Sequence, residues 1–148
     1  MTQTQQRPQP IFDKQDQLSK ITANLLQGEL VIAVYDCIGG GTGFVGITDR
    51  RVIIQDNSFV GKKVALTSIP YSKINAVSFV SDKSMWGNWA SSSSISISAG
   101  GREYIADFRG EPKAKHAHDV VLWHMMRLAS DTLPSPAGLA GVRAHVPV

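Results

Sequence analysis

A glycine-rich segment at residues 41–46 has the spacing of a phosphate-binding loop. It reads Gly-Thr-Gly-Phe-Val-Gly and follows an apolar stretch that is typical of a β-strand. A dinucleotide-binding loop of this kind needs a helix directly after it, because the amides of the helix N-terminus hold the pyrophosphate. Residues 47–56 are rich in β-branched side chains instead and indicate a hairpin. We therefore predict no bound cofactor, and we expect the glycines to form a mobile turn and a bend in a strand.

Cysteine and histidine, the side chains that most often take part in catalysis or metal binding, do not form a recognisable site. Cys37 is the single cysteine and ends an apolar strand, with no histidine near it in the sequence, so we expect a buried, inert thiol. His116 and His118 are two residues apart on a predicted helix and therefore lie on different faces. No His-Glu-x-x-His motif is present. We predict no catalytic residue and no metal site, and hence a protein that is not an enzyme.

Basic residues are scattered along the chain. The formal net charge is +3, and a nucleic-acid-binding surface would concentrate its charge in one stripe, so we predict no nucleic-acid partner. Lys62 and Lys63 are adjacent, and Arg102 follows a Gly-Gly turn. These three side chains are candidates for contact with a protein partner or a weak anionic membrane contact. A solvated charge cluster is the alternative.

Two tryptophans lie in a loop that we expect between two strands. Trp86 and Trp89 flank Gly87-Asn88, just ahead of a run of serines. Tryptophan is costly to expose to water and favours interfaces with one wet edge, so both are candidate contacts to a partner subunit or a membrane. The alternative is that both fold back over the protein. Trp123 adds to the case for a partner surface, because its helix is apolar around more than one face.

A tight turn is expected at Thr48, Asp49 and Arg50. Thr and Asp side chains bond to nearby backbone amides and hold such turns. An arginine there can reach a carboxylate or a carbonyl group. We interpret these three residues as a structural turn, with a ligand-binding arginine as the alternative.

The spacing of apolar residues changes twice along the chain. Leu18, Ile21 and Leu25 share one face of a short helix that starts near Asp13, and Gly28 is placed to cap its C-terminus. Alternation typical of β-strands follows, and helical spacing returns at residues 111–129. The strands that we predict span residues 29–37, 44–48, 51–56, 62–69, 74–82, 93–99 and 103–108.

About seven short strands closed by one long helix predict a mainly β protein, an antiparallel sandwich or barrel whose open end the C-terminal helix covers. We predict one domain at residues 11–129, a disordered tail at residues 1–10, and a flexible tail containing Pro and Gly at residues 130–148. No apolar run approaches the ~18 residues of a membrane-spanning helix. With one cysteine and no apolar signal sequence, we expect a cytoplasmic location.

Several short motifs, in this order, resemble the bacterial pleckstrin-homology-like family. They are Gly28-Glu29, the hairpin at residues 47–53, Gly61-Lys62-Lys63, and Ile69-Pro70-Tyr71 with Ile74. The resemblance covers residues 25–129. It implies a barrel of seven antiparallel strands in two near-orthogonal sheets, capped by the last helix. It also implies a binding or assembly module without catalytic residues, often a homo-oligomeric ring.

The phosphoinositide ligands of eukaryotic members of this family do not carry over. Those members use basic residues at the end of their first strand and the start of their second. The matching positions in this chain are Asp36, Cys37, Phe44 and Val45, and none is basic. Multivalent phosphate needs several converging Lys or Arg side chains, so we do not expect inositol-phosphate binding.

Three functional hypotheses follow. The first is an assembly module that forms a homo-oligomer or binds an unknown protein partner. The second is a peripheral membrane protein that contacts anionic lipid through Lys62, Lys63 and the loop of Trp86 and Trp89. The third is a small-molecule binder at the end of the barrel, for which a polar pocket with perturbed titratable groups would be needed.

Overall fold

A computed structural model describes residues 8–39, 41–81 and 92–131. Most of the two predicted tails lies outside these ranges. Two helices and eight strands are present in the described part of the chain, with a 3-10 turn at Tyr71–Lys73. In chain order they are β1 (Ile11–Phe12), α1 (Gln15–Ala23), β2 (Val31–Ile38), β3 (Thr42–Thr48), β4 (Arg51–Asp56), β5 (Ala65–Pro70), β6 (Ile74–Ser81), β7 (Ser92–Ala99), β8 (Arg102–Arg109) and α2 (Glu111–Asp131).

The strands form one sheet in the order β5-β4-β3-β2-β8-β7-β6, with every neighbouring pair antiparallel. β2 joins two halves of this sheet. Its residues 31–36 pair with β3, whereas Cys37 and Ile38 pair with Phe108 and Asp107 of β8. The predicted mainly β fold with seven antiparallel strands, a short N-terminal helix and a C-terminal helix is confirmed.

The eighth strand, β1, was not predicted. Ile11 and Phe12 pair in parallel with Ala33 and Val34 of β2, along the edge that β8 leaves free. The amide of Asp13 continues this pairing by donating to the carbonyl oxygen of Val34 at 3.1 Å. A strand of two residues has no measurable alternation, so sequence periodicity cannot detect it.

Apolar side chains cover both faces of β2, as the sequence predicted for this strand. Ala33 and Tyr35 belong to the main core, whereas Val34 belongs to a second cluster beneath α1. At the centre of that cluster, Ile21 of α1 is fully buried against Gly46 of β3. A Cβ atom at residue 46 would lie 2.5 Å from Cδ1 of Ile21, so any larger residue there would force the Ile21 side chain or the helix to shift.

The C-terminal helix closes the other side of the sheet. α2 packs against β6, β7 and β8, and its inward residues Ala114, Ala117 and Val121 are fully buried. Two alanines in this row let the helix backbone approach the sheet, so a single helix completes the main core.

Two predicted boundaries are wrong. α1 ends at Ala23 with Asn24 as its cap, and Gly28 forms a separate turn at φ +80°. The apolar residue Leu25 still packs in the second cluster, although it lies beyond the helix. β5 begins at Ala65, so residues 62–64 belong to the preceding loop.

Candidate functional site

The β3–β4 turn is held by side chains of its own residues. The hydroxyl of Thr48 accepts hydrogen bonds from the amides of Arg50 and Arg51, both at 3.0 Å. The carboxylate of Asp49 accepts a bond from the amide of Leu30 at 2.9 Å and so ties the turn to the start of β2. These contacts account for the Thr-Asp pair without a ligand.

Arg51, the next residue, forms an ion pair with Glu29 under the turn. Its Nε and Nη2 atoms donate to the two carboxylate oxygens of Glu29, each at 2.9 Å. Nη2 also donates to the carbonyl oxygen of Asn24 at 2.7 Å, and Nη1 donates to the hydroxyl of Ser68 at 2.8 Å. The pair is largely removed from water, since the side chain of Glu29 is 1% exposed and that of Arg51 15%. One guanidinium group on β4 therefore joins the C-cap of α1, the turn before β2, and β5.

The environment of Glu29 strongly favours its ionised form. Burial, the largest single influence, raises the pKa of this carboxyl group. Hydrogen bonds from Arg51, from the amide of Leu26 and from the hydroxyl of Thr48, together with the charge of Arg51, outweigh burial and lower the pKa from 4.5 to about 2. Sequence reasoning did not assign a role to Glu29, although Gly28-Glu29 was one of the motifs behind the family resemblance.

Arg50 is placed differently from Arg51. Its Nε lies 3.7 Å from the carboxylate of Asp49, and most of its side chain is exposed. It lines a polar cavity of about 280 Å³ with Tyr71 and, from the end of α2, His124 and Arg127. Tyr71 stacks on His124 with the ring centroids 4.6 Å apart, so two stacked rings form part of the cavity wall.

Arg102 lies near the loop between β4 and β5, at the other end of β4. Its Nη2 donates to the carboxylate of Asp56 at 2.8 Å, and its guanidinium lies 4.8 Å from the ring centroid of Tyr104. Hydrogen bonds from Ser58 and from Arg102 lower the pKa of Asp56 despite burial. The charge of Arg102 is thus neutralised by a neighbour within the protein.

Lys62 and Lys63 lie in the β4–β5 loop, residues 57–64, and both are exposed. Among the residues that the structure describes, neither lysine forms an ion pair. Sequence reasoning missed their neighbours Phe59 and Val60, of which Val60 is 93% exposed. The available signal was an apolar pair inside a turn of Asn, Ser and Gly. Trp86 and Trp89 lie outside the described residues.

The outer face of α2 is a candidate surface as well. Trp123 is 56% exposed and Met126 62%, and Leu122 beside them is also exposed. Arg127 places its guanidinium 5.4 Å from the ring centroid of Trp123. Since Ala117 and Val121 on the opposite face are fully buried, α2 has apolar surface on two sides. The sequence predicted this second apolar face from Trp123.

The profile of the family described as "Bacterial PH domain" matches residues 13–121. This chain belongs to the bacterial PH domain family. The match spans the elements from α1 to the first half of α2. It ends just before Leu122, Trp123 and Met126. No curated protein is significantly similar to the chain.

Two solved structures share the fold of this PH domain. The pleckstrin homology domain from Shewanella amazonensis SB2B superposes with a TM-score of 0.56 at 19% identity, over 77% of this chain and 99% of that one. A PH-domain-containing protein from Exiguobacterium sibiricum 255-15 superposes with a TM-score of 0.54 at 21% identity. That match covers 80% of this chain and 63% of the other. At these identities the likeness establishes the fold.

The thiol of Cys37 and the imidazole of His116 are both engaged within this PH domain. Burial, followed by the charges of Asp36, Asp107 and Asp13, raises the pKa of the Cys37 thiol. Nδ1 of His116 lies 2.7 Å from the hydroxyl of Tyr35. Within the described ranges, no group of His, Cys, Asp and Glu side chains could hold a metal ion.

A larger cavity, of about 580 Å³, lies between the N-terminal segment and the start of β2. Its walls include Pro8, Pro10, Leu25 and Val31, and it has few polar groups. This cavity lies beside α1, whereas the smaller cavity at Arg50 lies at an end of the strands, where a small-molecule site was one of the three hypotheses. In the part of the chain that the structure describes, no helix is long and apolar enough to cross a membrane.

Proposed function

We propose that this PH domain is a non-catalytic binding module that acts through protein–protein contacts and associates with further copies of itself. The observation that carries the proposal is the second apolar face of α2. Leu122, Trp123 and Met126 present a contiguous apolar surface, although Ala114, Ala117 and Val121 already complete the core on the other side. An apolar cluster centred on tryptophan, with an arginine beside it, has the composition of an interface hot spot.

The mass of the protein in solution tests this proposal. We expect multi-angle light scattering to give more than the monomer mass of 16.0 kDa at protein concentrations of about 10 to 100 μM. The substitution Trp123→Ser combined with Met126→Ser should return the mass to that of the monomer. Val60→Ser, which removes an even more exposed apolar side chain in the β4–β5 loop, is the control and should leave the mass unchanged. A wild-type protein that stays monomeric over this range would overturn self-association.

A second candidate function, contact with an anionic membrane, is favoured by the β4–β5 loop. Phe59 and Val60 project apolar surface, and Lys62 and Lys63 beside them carry charge that no described carboxylate neutralises. Apolar side chains at a loop tip with adjacent lysines are suited to the interface of an anionic bilayer. Arg102, by contrast, is paired with Asp56, so it supplies less to this surface than the sequence suggested.

Vesicle sedimentation distinguishes this candidate from protein binding. At low salt the protein should sediment with vesicles rich in phosphatidylserine and remain in solution with pure phosphatidylcholine. Lys62→Glu with Lys63→Glu should abolish sedimentation, as should Val60→Asp. Lys73→Glu, which changes an exposed lysine outside the loop, should leave it intact. Absence of sedimentation at low salt would remove the membrane hypothesis.

A further inference from the structure

The outward surface of α2 carries a row of residues spaced four apart, in which charge changes sign around a central tryptophan. The row consists of Lys115, Asp119, Trp123 and Arg127, and all four are exposed. Residues four apart on a helix form a continuous ridge, and such ridges are the elements that interlock when two helices pack. The charges and the tryptophan of this ridge therefore set which helix surface is complementary to the outer face of α2.

The charges of this row complement those of the same row running in the opposite direction. Asp119 lies four residues before Trp123, and Arg127 lies four residues after it. If two such helices run antiparallel about a two-fold axis at Trp123, each Asp119 lies beside Arg127 of the other copy. A two-fold interface repeats every contact, so one charge pair in the sequence becomes two ion pairs in the dimer.

We propose that α2 forms an antiparallel helix pair with α2 of a second copy of this chain, centred on Trp123. This inference rests on the proposed self-association and names its surface and register. Ridges of residues four apart pack into each other with the helix axes inclined at about 50°, and the two ridges stay aligned at that angle. Leu122 and Met126 flank the ridge and exclude water from the contact between the two tryptophans.

Arg127 and Asp119 are both exposed, and both can reach a second copy, although Asp119 already pairs with Lys115 on its own helix. In the described part of the chain Arg127 has no ion pair, and its guanidinium rests over the Trp123 ring at 5.4 Å. Asp119 accepts bonds from Lys115 on both carboxylate oxygens, at 2.7 and 2.8 Å, and from His118 at 2.9 Å, all on its own helix. A carboxylate has about four lone-pair sites, so Asp119 can accept Arg127 of the second copy without losing these bonds.

The size of this surface predicts a weak dimer. A helix of 21 residues is about 31 Å long, and one face of it is smaller than the roughly 800 Å² that each partner of a stable complex buries. We therefore expect a dissociation constant on the order of micromolar. Charge substitution should have a large effect on such a dimer, because two ion pairs are a substantial part of a small contact.

Charge exchange between two variants tests the register. Asp119→Arg alone places two arginines side by side at each pair, and Arg127→Asp alone places two carboxylates there, so each variant should be monomeric by sedimentation equilibrium. An equimolar mixture of the two restores opposite charges at both positions and should regain the dimer mass. The double variant D119R/R127D should dimerise alone. Lys20→Asp, an exposed charge reversal on α1, should dimerise as the wild type does.

The outcomes separate this inference from the proposed function. A monomeric wild type overturns both. A wild type that self-associates, with single variants that do so equally well, keeps self-association and overturns the helix pair. Monomeric single variants that neither the mixture nor the double variant restores also overturn it, since the charges would then act elsewhere. Far-UV circular dichroism of each single variant shows whether α2 remains folded.

Discussion

The two helices lie on the same sheet, but they use their apolar residues differently. α1 directs both of its large apolar side chains, Leu18 and Ile21, into the cluster over β2 and β3. The chain that follows α1 is tied down by Arg51, through the carbonyl oxygen of Asn24, and by Glu29. α2 buries one face completely and leaves a second apolar face in solvent.

This difference indicates which helix serves the fold alone. The apolar surface of α1 is matched by the sheet, so changes around it should alter stability and leave association unaffected. The inner face of α2 alone completes the core, so its outer face is available for a partner.

Removing one member of the Glu29–Arg51 pair should have the greatest effect on stability. Glu29→Gln or Arg51→Met leaves a largely buried charge without its partner, which typically costs about 3 to 5 kcal/mol. Urea unfolding at a concentration low enough for the monomer measures this cost. The matched control is Arg50→Met, an exposed neighbour that should change stability by less than about 0.5 kcal/mol. Equal effects at Arg50 and Arg51 would contradict the role assigned to the pair.

Acid should weaken the same region. The pKa of Glu29 is about 2 in the folded protein, below its ordinary value of 4.5, so the ionised group stabilises the fold above about pH 4.5. This contribution, roughly 3 kcal/mol, should be lost as the pH falls from about 4.5 to 2. Unfolding free energies across this range measure it. The Glu29→Gln variant should show a flatter profile over the same interval, and an unchanged profile would rule out Glu29 as the source.

Filling the space above Gly46 should separate α1 from the sheet. Gly46→Ala brings a methyl group against Ile21 and should cost about 1 to 3 kcal/mol by overpacking. Adding Ile21→Val removes the atom at 2.5 Å and should recover part of the loss. Gly41→Ala is the control, because a Cβ there meets no atom within 4 Å. Thermal unfolding of the four proteins gives the comparison, and equal melting temperatures for the two alanine variants would refute it.

The outer face of α2 should show the opposite behaviour. Trp123→Ser removes an exposed side chain, so the stability of the monomer should change by less than about 0.5 kcal/mol while the oligomeric mass falls. Val121→Ala, on the buried face two residues earlier, should destabilise the monomer by about 1 to 3 kcal/mol. A Trp123→Ser protein that unfolds as readily as Val121→Ala would show that the outer face supports the fold after all.

The sequence was sufficient for the architecture because each element has its own local signal. Alternation of Ile95 and Ile97 with serines marks β7, and the return of helical spacing after Pro112 marks α2. These patterns reflect which side of each element meets the core, so they survive without knowledge of any neighbour. The strand β1 and the end of α1 were beyond this reasoning, because one is too short and the other ends before its apolar pattern does.

The candidate binding surfaces could be predicted from the sequence only in part. Lys62, Lys63 and Trp123 could be named from residue type, and the structure finds all three exposed. The ion pair that neutralises Arg102 could not be predicted, because its partner Asp56 is 46 residues away along the chain. The apolar pair Phe59 and Val60 was passed over because a turn was expected to be polar.

The residue order alone therefore determined that an alternating, mostly β chain would be closed by a helix with more apolar surface than one sheet can cover. Tertiary structure decided which charges are neutralised within the protein. Glu29 meets Arg51, and Asp56 meets Arg102, across separations that no local period records. Periodicity reports burial one element at a time, whereas an ion pair depends on where two distant elements come together.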